Sequence, residues 1–161
     1  MLFRSINFTD AITLIGDATI DSGSTPFTFQ EKINGGFALT VNSAGTSTFH
    51  APLGGVGPLA SFSLTGGGVT SITDVSTTGN QTYNSPLMTS SRYTATTGDI
   101  FFGESVTLKD HMAVAVSLGD ITLEGPVSGP FSLSLIAQEG SITWNDIAVR
   151  SFLAIGTEIG R

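Results

Sequence analysis

The sequence predicts an all-β fold, a single-stranded β-solenoid of about six or seven turns, from three observations. Gly98-Asp99-Ile100, Gly119-Asp120-Ile121 and Gly140-Ser141-Ile142 follow one another at a constant step of 21 residues. Each opens a strand with an inward face, in Ile100-Phe101-Phe102, Ile121-Thr122-Leu123 and Ile142-Thr143-Trp144. The composition, with 20 Gly and 12% charged residues, suits many short strands and tight turns and disfavours long helices. An ordinary β-sandwich shows the same alternation. The constant step favours the solenoid, because such a period marks units that bury their faces on their neighbours. At about 4.8 Å per turn the rod would be roughly 30 Å long.

Each turn is expected to hold a second strand. It reads Val114-Ala115-Val116-Ser117-Leu118 in one turn and Phe131-Ser132-Leu133-Ser134-Leu135 in the next, with Phe37-Ala38-Leu39-Thr40-Val41 and Phe62-Ser63-Leu64 as counterparts. A longer echo links Thr48-Phe49-His50-Ala51-Pro52-Leu53 to Thr122-Leu123-Glu124-Gly125-Pro126-Val127 at an offset of 74. Phe8-Thr9-Asp10-Ala11-Ile12 and Tyr83-Asn84-Ser85-Pro86-Leu87 are related at 75. The echo divides a single domain, residues 1–161, into blocks 8–82 and 83–145. Corners at Asn34-Gly35-Gly36, Gly54-Gly55, Gly66-Gly67-Gly68 and Gly125-Pro126 separate strands, since glycine reaches positive φ at little steric cost. Residues 146–161 leave the repeat, and the loosely helical spacing of Val149, Phe152 and Ile159 reads as a cap over the last turn or a tail.

A net charge of −7 with only six Lys and Arg builds no basic face for nucleic acid and disfavours an anionic membrane surface. The absence of Cys removes disulfides, thiolate metal sites and a Cys nucleophile. No apolar run of about 18 residues is present, so no membrane insertion is expected. Arg4 interrupts the apolar start that a signal peptide needs.

Candidate chemistry is sparse. Asp99 and Asp120 should stack one turn apart, with Glu104 and Glu124 as a looser second column. Like charges about 5 Å apart repel, which invites Ca²⁺ or a raised pKa. The plainer alternative is solvated turn residues bonding local N–H groups, and the Gly-Gly-x-Gly-x-Asp calcium repeat is missing. Glu104, Lys109, Asp110 and His111 form the one dense polar cluster, which reads as an exposed turn rather than the carboxylate cluster of a polysaccharide lyase or hydrolase. His50 and His111 lack a third ligand for zinc. An ice-binding face would need a Thr-x-Thr ladder, but Thr46-Ser47-Thr48 and Thr94-Ala95-Thr96 do not recur one turn apart. The expectation is a non-enzyme with no catalytic residue, cofactor or metal.

The phrases Gly79-Asn80-Gln81-Thr82-Tyr83-Asn84, Thr96-Thr97-Gly98-Asp99-Ile100-Phe101-Phe102 and Phe37-Ala38-Leu39-Thr40-Val41-Asn42 resemble repeats of very large bacterial surface exoproteins. These are the filamentous-haemagglutinin-like and autotransporter-adhesin-like proteins, and the resemblance covers roughly residues 6–144. It implies a right-handed parallel β-helix, an extracellular or cell-surface location, and adhesive or scaffold roles. The chain departs from that family in its shortness and in lacking a secretion signal. The expectation is a structural or adhesive module that meets a surface receptor or a glycan. The alternative is a fibre subunit stacking end to end with itself. A carbohydrate-active β-helix enzyme and an ice-binding protein stand behind both.

Overall fold

The computed structural model describes residues 5–160, which form 21 strands and no helix. One turn runs through Ile100–Phe102, Val106–Leu108 and Met112–Val116, and the next opens at Ile121–Leu123. Each strand pairs in parallel with its counterpart one turn on: Ile100 with Ile121, Val106 with Val127, Met112 with Leu133. Three stacks therefore make three faces, here face 1 (the Ile100 stack), face 2 (the Val106 stack) and face 3 (the Met112 stack). Face 1 holds eight strands, from Ala18–Gly23 to Glu158–Gly160, which makes about seven turns of a β-solenoid. Faces 2 and 3 join where Val127–Ala137 bends through their common corner.

Eight of the 21 strands are three residues long with buried outer residues and a more exposed middle residue, as in Ile100-Phe101-Phe102. The inward residues stack on their own kind. Phe8, Phe29 and Phe49 lie almost parallel along face 2, with centroids 4.3 and 5.2 Å apart, and Tyr83 stacks on Phe102 at 4.8 Å. Such contacts add about 0.5–1.5 kcal/mol per pair beyond the burial of area. The phrase Gln81-Thr82-Tyr83 has an interior role. Tyr83 donates to Gln81 Oε1 at 2.8 Å, and Gln81 Nε2 donates to the Thr94 carbonyl at 2.7 Å. Tyr93 donates to Thr89 Oγ1 at 2.8 Å.

The Gly-Asp-Ile repeat has a steric cause. Gly98, Gly119 and Gly140 lie over one another at the corner that enters face 1. A Cβ on Gly119 would collide with the Gly98 carbonyl, and one on Gly140 with the Gly119 carbonyl. These glycines are needed for close backbone approach. Positive φ explains others, Gly35, Gly54, Gly66 and Gly67 among the expected corners.

Three expectations are corrected. Residues 146–161 were expected to leave the repeat, yet Ile147–Ile155 pairs with Val127–Ala137 and Glu158–Gly160 pairs with Ser141–Trp144, so the ladder runs on through another turn. The helical spacing misleads because Phe152 and Ile159 sit on different faces, each following its own stack. The 74-residue echo is not a whole number of turns: Phe49 lies on face 2 and Leu123 on face 1. Ile12 on face 3 and Leu87 on face 2 are likewise not equivalent. Finally, Ala38–Ser43 and Ser61–Thr65 belong to face 1, not to the face 3 stack of Met112–Val116.

Replacing Gly119 with Ala is expected to lower stability by about 1–3 kcal/mol, since the neighbour it strikes is backbone and must shift. Gly16→Ala, where the added Cβ meets nothing within 4 Å, is the control and should be near neutral. Urea unfolding of the two variants checks this. Burial raises the Tyr83 phenol well above 10.0, with Tyr93 adding to it; burial also raises Tyr93, against a lowering by its Thr89 hydrogen bond and with a further rise from Asp74. Both groups fold more easily neutral. The stability they contribute is complete below pH 10 and declines as pH climbs from there toward the folded values. The urea midpoint should therefore fall above about pH 10, and Tyr83→Phe with Tyr93→Phe should flatten that alkaline limb. An unchanged limb in the double variant would contradict the assignment.

Candidate functional site

The expected acidic column exists. Asn80, Asp99, Asp120 and Ser141 follow one another up the edge of face 1. Asn80 Oδ1 accepts the Asp99 N–H at 3.0 Å, Asp99 Oδ1 the Asp120 N–H at 2.9 Å, and Asp120 Oδ1 the Ser141 N–H at 2.7 Å. Asp17 does the same for Ala38 at 2.9 Å. The bonds reach one turn onward rather than to the local turn, so each carboxylate clamps two rungs together. The one pair of like charges in this column, Asp99 and Asp120, thereby has an N–H dipole between its members.

The other candidates are dispersed. Gly103 stands opposite Glu124, and Glu104 lies against the backbone of Gly125, so the two glutamates do not stack. Glu104 sits at the corner between faces 1 and 2, whereas Asp110 and His111 occupy the corner between faces 2 and 3. There His111 Nε2 lies 3.9 Å from Asp110, and His111 Nδ1 accepts the Ser132 N–H at 3.2 Å. Lys109 is fixed through its own N–H to the Thr89 carbonyl at 2.8 Å. His50 lies at the same corner three turns earlier, where its N–H bonds the Phe29 carbonyl at 2.9 Å. Among the described residues no group of three His, Cys, Asp or Glu could hold a metal ion.

Face 1 carries what the sequence reading missed. Its outward central column reads Thr19, Thr40, Ser63, Thr82, Phe101, Thr122, Thr143, each paired with the next. Beside it run Asp21, Asn42, Thr65 and Asn84, with Thr65 Oγ1 donating to Asn42 Oδ1 at 2.5 Å. The steps between successive members vary from 19 to 23 residues, and Ser63 and Phe101 interrupt the threonines, so no fixed period reveals the column. Thr46-Ser47-Thr48 and Thr94-Ala95-Thr96 instead lie on faces 2 and 3 and form no common ladder. Toward the last turns, face 1 holds an open groove of about 590 Å³ lined by Gly103, Thr122, Glu124, Thr143, Trp144 and Asn145. The Phe101 ring lies over Gly103 at its edge, in the space a Cβ would fill.

No protein-family model, curated protein or solved structure matches the chain. The fold itself defines the class: a parallel β-solenoid with three faces.

Asp120→Asn keeps an oxygen for the Ser141 N–H and should leave stability nearly unchanged, while Asp120→Ala should lose about 0.5–1 kcal/mol. Unfolding of both, with and without added Ca²⁺, checks this. Ca²⁺-dependent stabilisation of the unmodified chain that vanishes in Asp120→Asn would contradict a purely structural column.

Proposed function

We propose that the protein is a non-enzymatic structural and adhesive module, a rigid rod that presents face 1 to a neutral, hydroxyl-rich glycan at the cell surface or outside the cell. The single observation that carries this is the register of the central column. Hydroxyls of Thr19, Thr40, Ser63 and Thr82 stand on successive rungs, about 4.8 Å apart, and those of Thr122 and Thr143 continue the column after the Phe101 rung, on strands whose positions the core holds. A hydroxyl both donates and accepts, so such a column can match a polymer of hydroxyls at several points at once. Phe101 and the adjoining groove add an apolar surface for a sugar face. The net charge of −7 and the Asp99–Asp120 edge select against anionic polymers. The location rests on the resemblance to bacterial surface exoproteins. Ice is the second surface a threonine column fits, but the charged edge at Asp99, Asp120 and Glu124 argues against it.

Co-sedimentation with insoluble cellulose and chitin, and with alginate as the anionic comparison, tests the reading. Binding to a neutral polymer that falls at least about tenfold in Thr82→Val/Thr122→Val and in Phe101→Ser is expected, since several weak contacts act together. Binding that these variants leave intact, or that occurs on alginate alone, would overturn it.

A further inference from the structure

Face 3 is built on one inward column that climbs eight levels from Ile12 to Ala154, each member paired with the next. The residue before each of these points outward. This outward column holds one acid, Asp74 on the fourth level, with Arg92 next to it on the fifth. The Arg92 N–H donates to Asp74 Oδ1 at 2.8 Å, but among the described residues no ion pair joins the Arg92 guanidinium to a carboxylate. Asp74 and Arg92 border an open groove of about 390 Å³, together with Pro52, Gly55, Ser76 and Thr94. On both sides of this charged middle the face turns apolar. Val56, 79% exposed, rides on a projecting loop that is held over Asn34, whose Oδ1 accepts the Val56 N–H at 3.0 Å. Leu153 and Ile155, each 51% exposed, project from the side of the rod, since they follow outward Ser134 and Ile136. Between them and Arg92 the sixth level offers only Ala113 and Ala115.

An Asp and an Arg on adjacent levels of one face are self-complementary under a two-fold axis. We propose that face 3 is a dimer interface, occupied by a second copy of this chain packed face to face with its rod axis reversed. The two-fold axis lies between the faces, along the strands, midway between the Asp74 and Arg92 levels. It sets Asp74 of each copy against Arg92 of the other, so two charge pairs form at once. The same operation sets Ser76 opposite Thr94, hydroxyl to hydroxyl. Farther out, Pro52 meets Ala113, Lys32 meets Ser134 and Ala11 meets Leu153. The Val56 loop falls opposite Ala115 and Ile136, where the small alanines leave room for it. A parallel pair would instead set Asp74 on Asp74 and Arg92 on Arg92. Any other antiparallel register leaves Arg92 facing a residue without negative charge. Face 3 is also a side on which two chains of net charge −7 can approach, because Asp17, Asp99 and Asp120 line the edge of face 1. Eight levels at about 4.8 Å, by about five residues at about 3.3 Å, give roughly 600 Å² per copy. That is the low end for a specific interface, and it corresponds to a dimer that forms at roughly micromolar concentration. The inference stands apart from the glycan reading, since face 1 stays exposed on both copies.

Sedimentation velocity across a concentration series, with cross-linking for the register, tests the dimer. The unmodified chain should pass from a 16.6 kDa monomer to a dimer and stop there, because a two-fold contact closes on itself. Asp74→Asn keeps an acceptor for the Arg92 N–H but loses the charge, and should weaken dimerisation about threefold. Arg92→Glu turns both pairs from attraction to repulsion and should weaken it at least about tenfold. The exchange Asp74→Lys/Arg92→Glu should restore it, and circular dichroism checks that each variant is folded. Lys32→Cys and Ser134→Cys lie five levels apart in one chain, which has no native Cys. A short bismaleimide should join these two variants when they are mixed and should join neither to itself. A monomer at every concentration would overturn the proposal. So would a dimer that Arg92→Glu leaves unchanged, growth beyond the dimer, or cross-linking within either variant alone. Polysaccharide binding by monomers that never pair would leave the glycan reading standing and this one refuted.

Discussion

Backbone amide-to-carbonyl bonds between successive turns are the constraint on which this molecule depends. A three-residue strand cannot satisfy its polar backbone alone, so each rung exists only because the rungs on either side accept and donate to it. That requirement brings the corners as close as the strands. It explains why Gly98, Gly119 and Gly140 carry no side chain, since backbone of the preceding turn occupies the space. It also explains the residue after them, because Asp99 and Asp120 each accept an N–H from the corner one turn on. The repeat is thus a record of contacts between turns, and the Phe and Tyr stacks in the interior follow from the same spacing.

Where that contact is strict, the fold was legible in the sequence. The constant step from Gly98 to Gly140 reflects three turns whose corners share one geometry, and it sufficed to reveal the solenoid. Where turns differ in length, sequence spacing misled. Step lengths on face 1 range from 23 residues between Leu39 and Phe62 to 17 between Ile142 and Ile159. A corner insertion changes the count without changing which residues stack. The Pro52 and Pro126 phrases resemble each other because both are strand, turn and strand, which any corner can supply, so their offset carried no positional meaning. The last turn read as a helical cap for the same reason: its inward residues belong to three faces, and their spacing along the chain is not that of any one element.

The candidate site was the least legible part. The Asp and His side chains of the candidate groups, Asp99, Asp120, Asp110 and His111, each accept a backbone N–H. Asp99 and Asp120 clamp adjacent rungs, and His111 accepts from Ser132. The side chains free to meet a partner in an ordered array are the unremarkable ones, Thr40, Thr82, Thr122 and Thr143, whose order arises only from pairing across turns. On the proposed reading such a surface would act by repetition, through many weak contacts held in register.

The account rests on that register. The chain has no native Cys, so pairs of spin labels can be placed on the central column by single Cys substitutions. With one label at Thr143→Cys and the other at Ser63→Cys, Thr40→Cys or Thr19→Cys, the pairs lie four, five and six rungs apart. Pulsed dipolar spectroscopy should give separations that grow in equal increments, to roughly 19, 24 and 29 Å for the backbone positions. Separations that do not increase evenly with rung number would contradict the stacked register, and with it the face on which the functional reading depends.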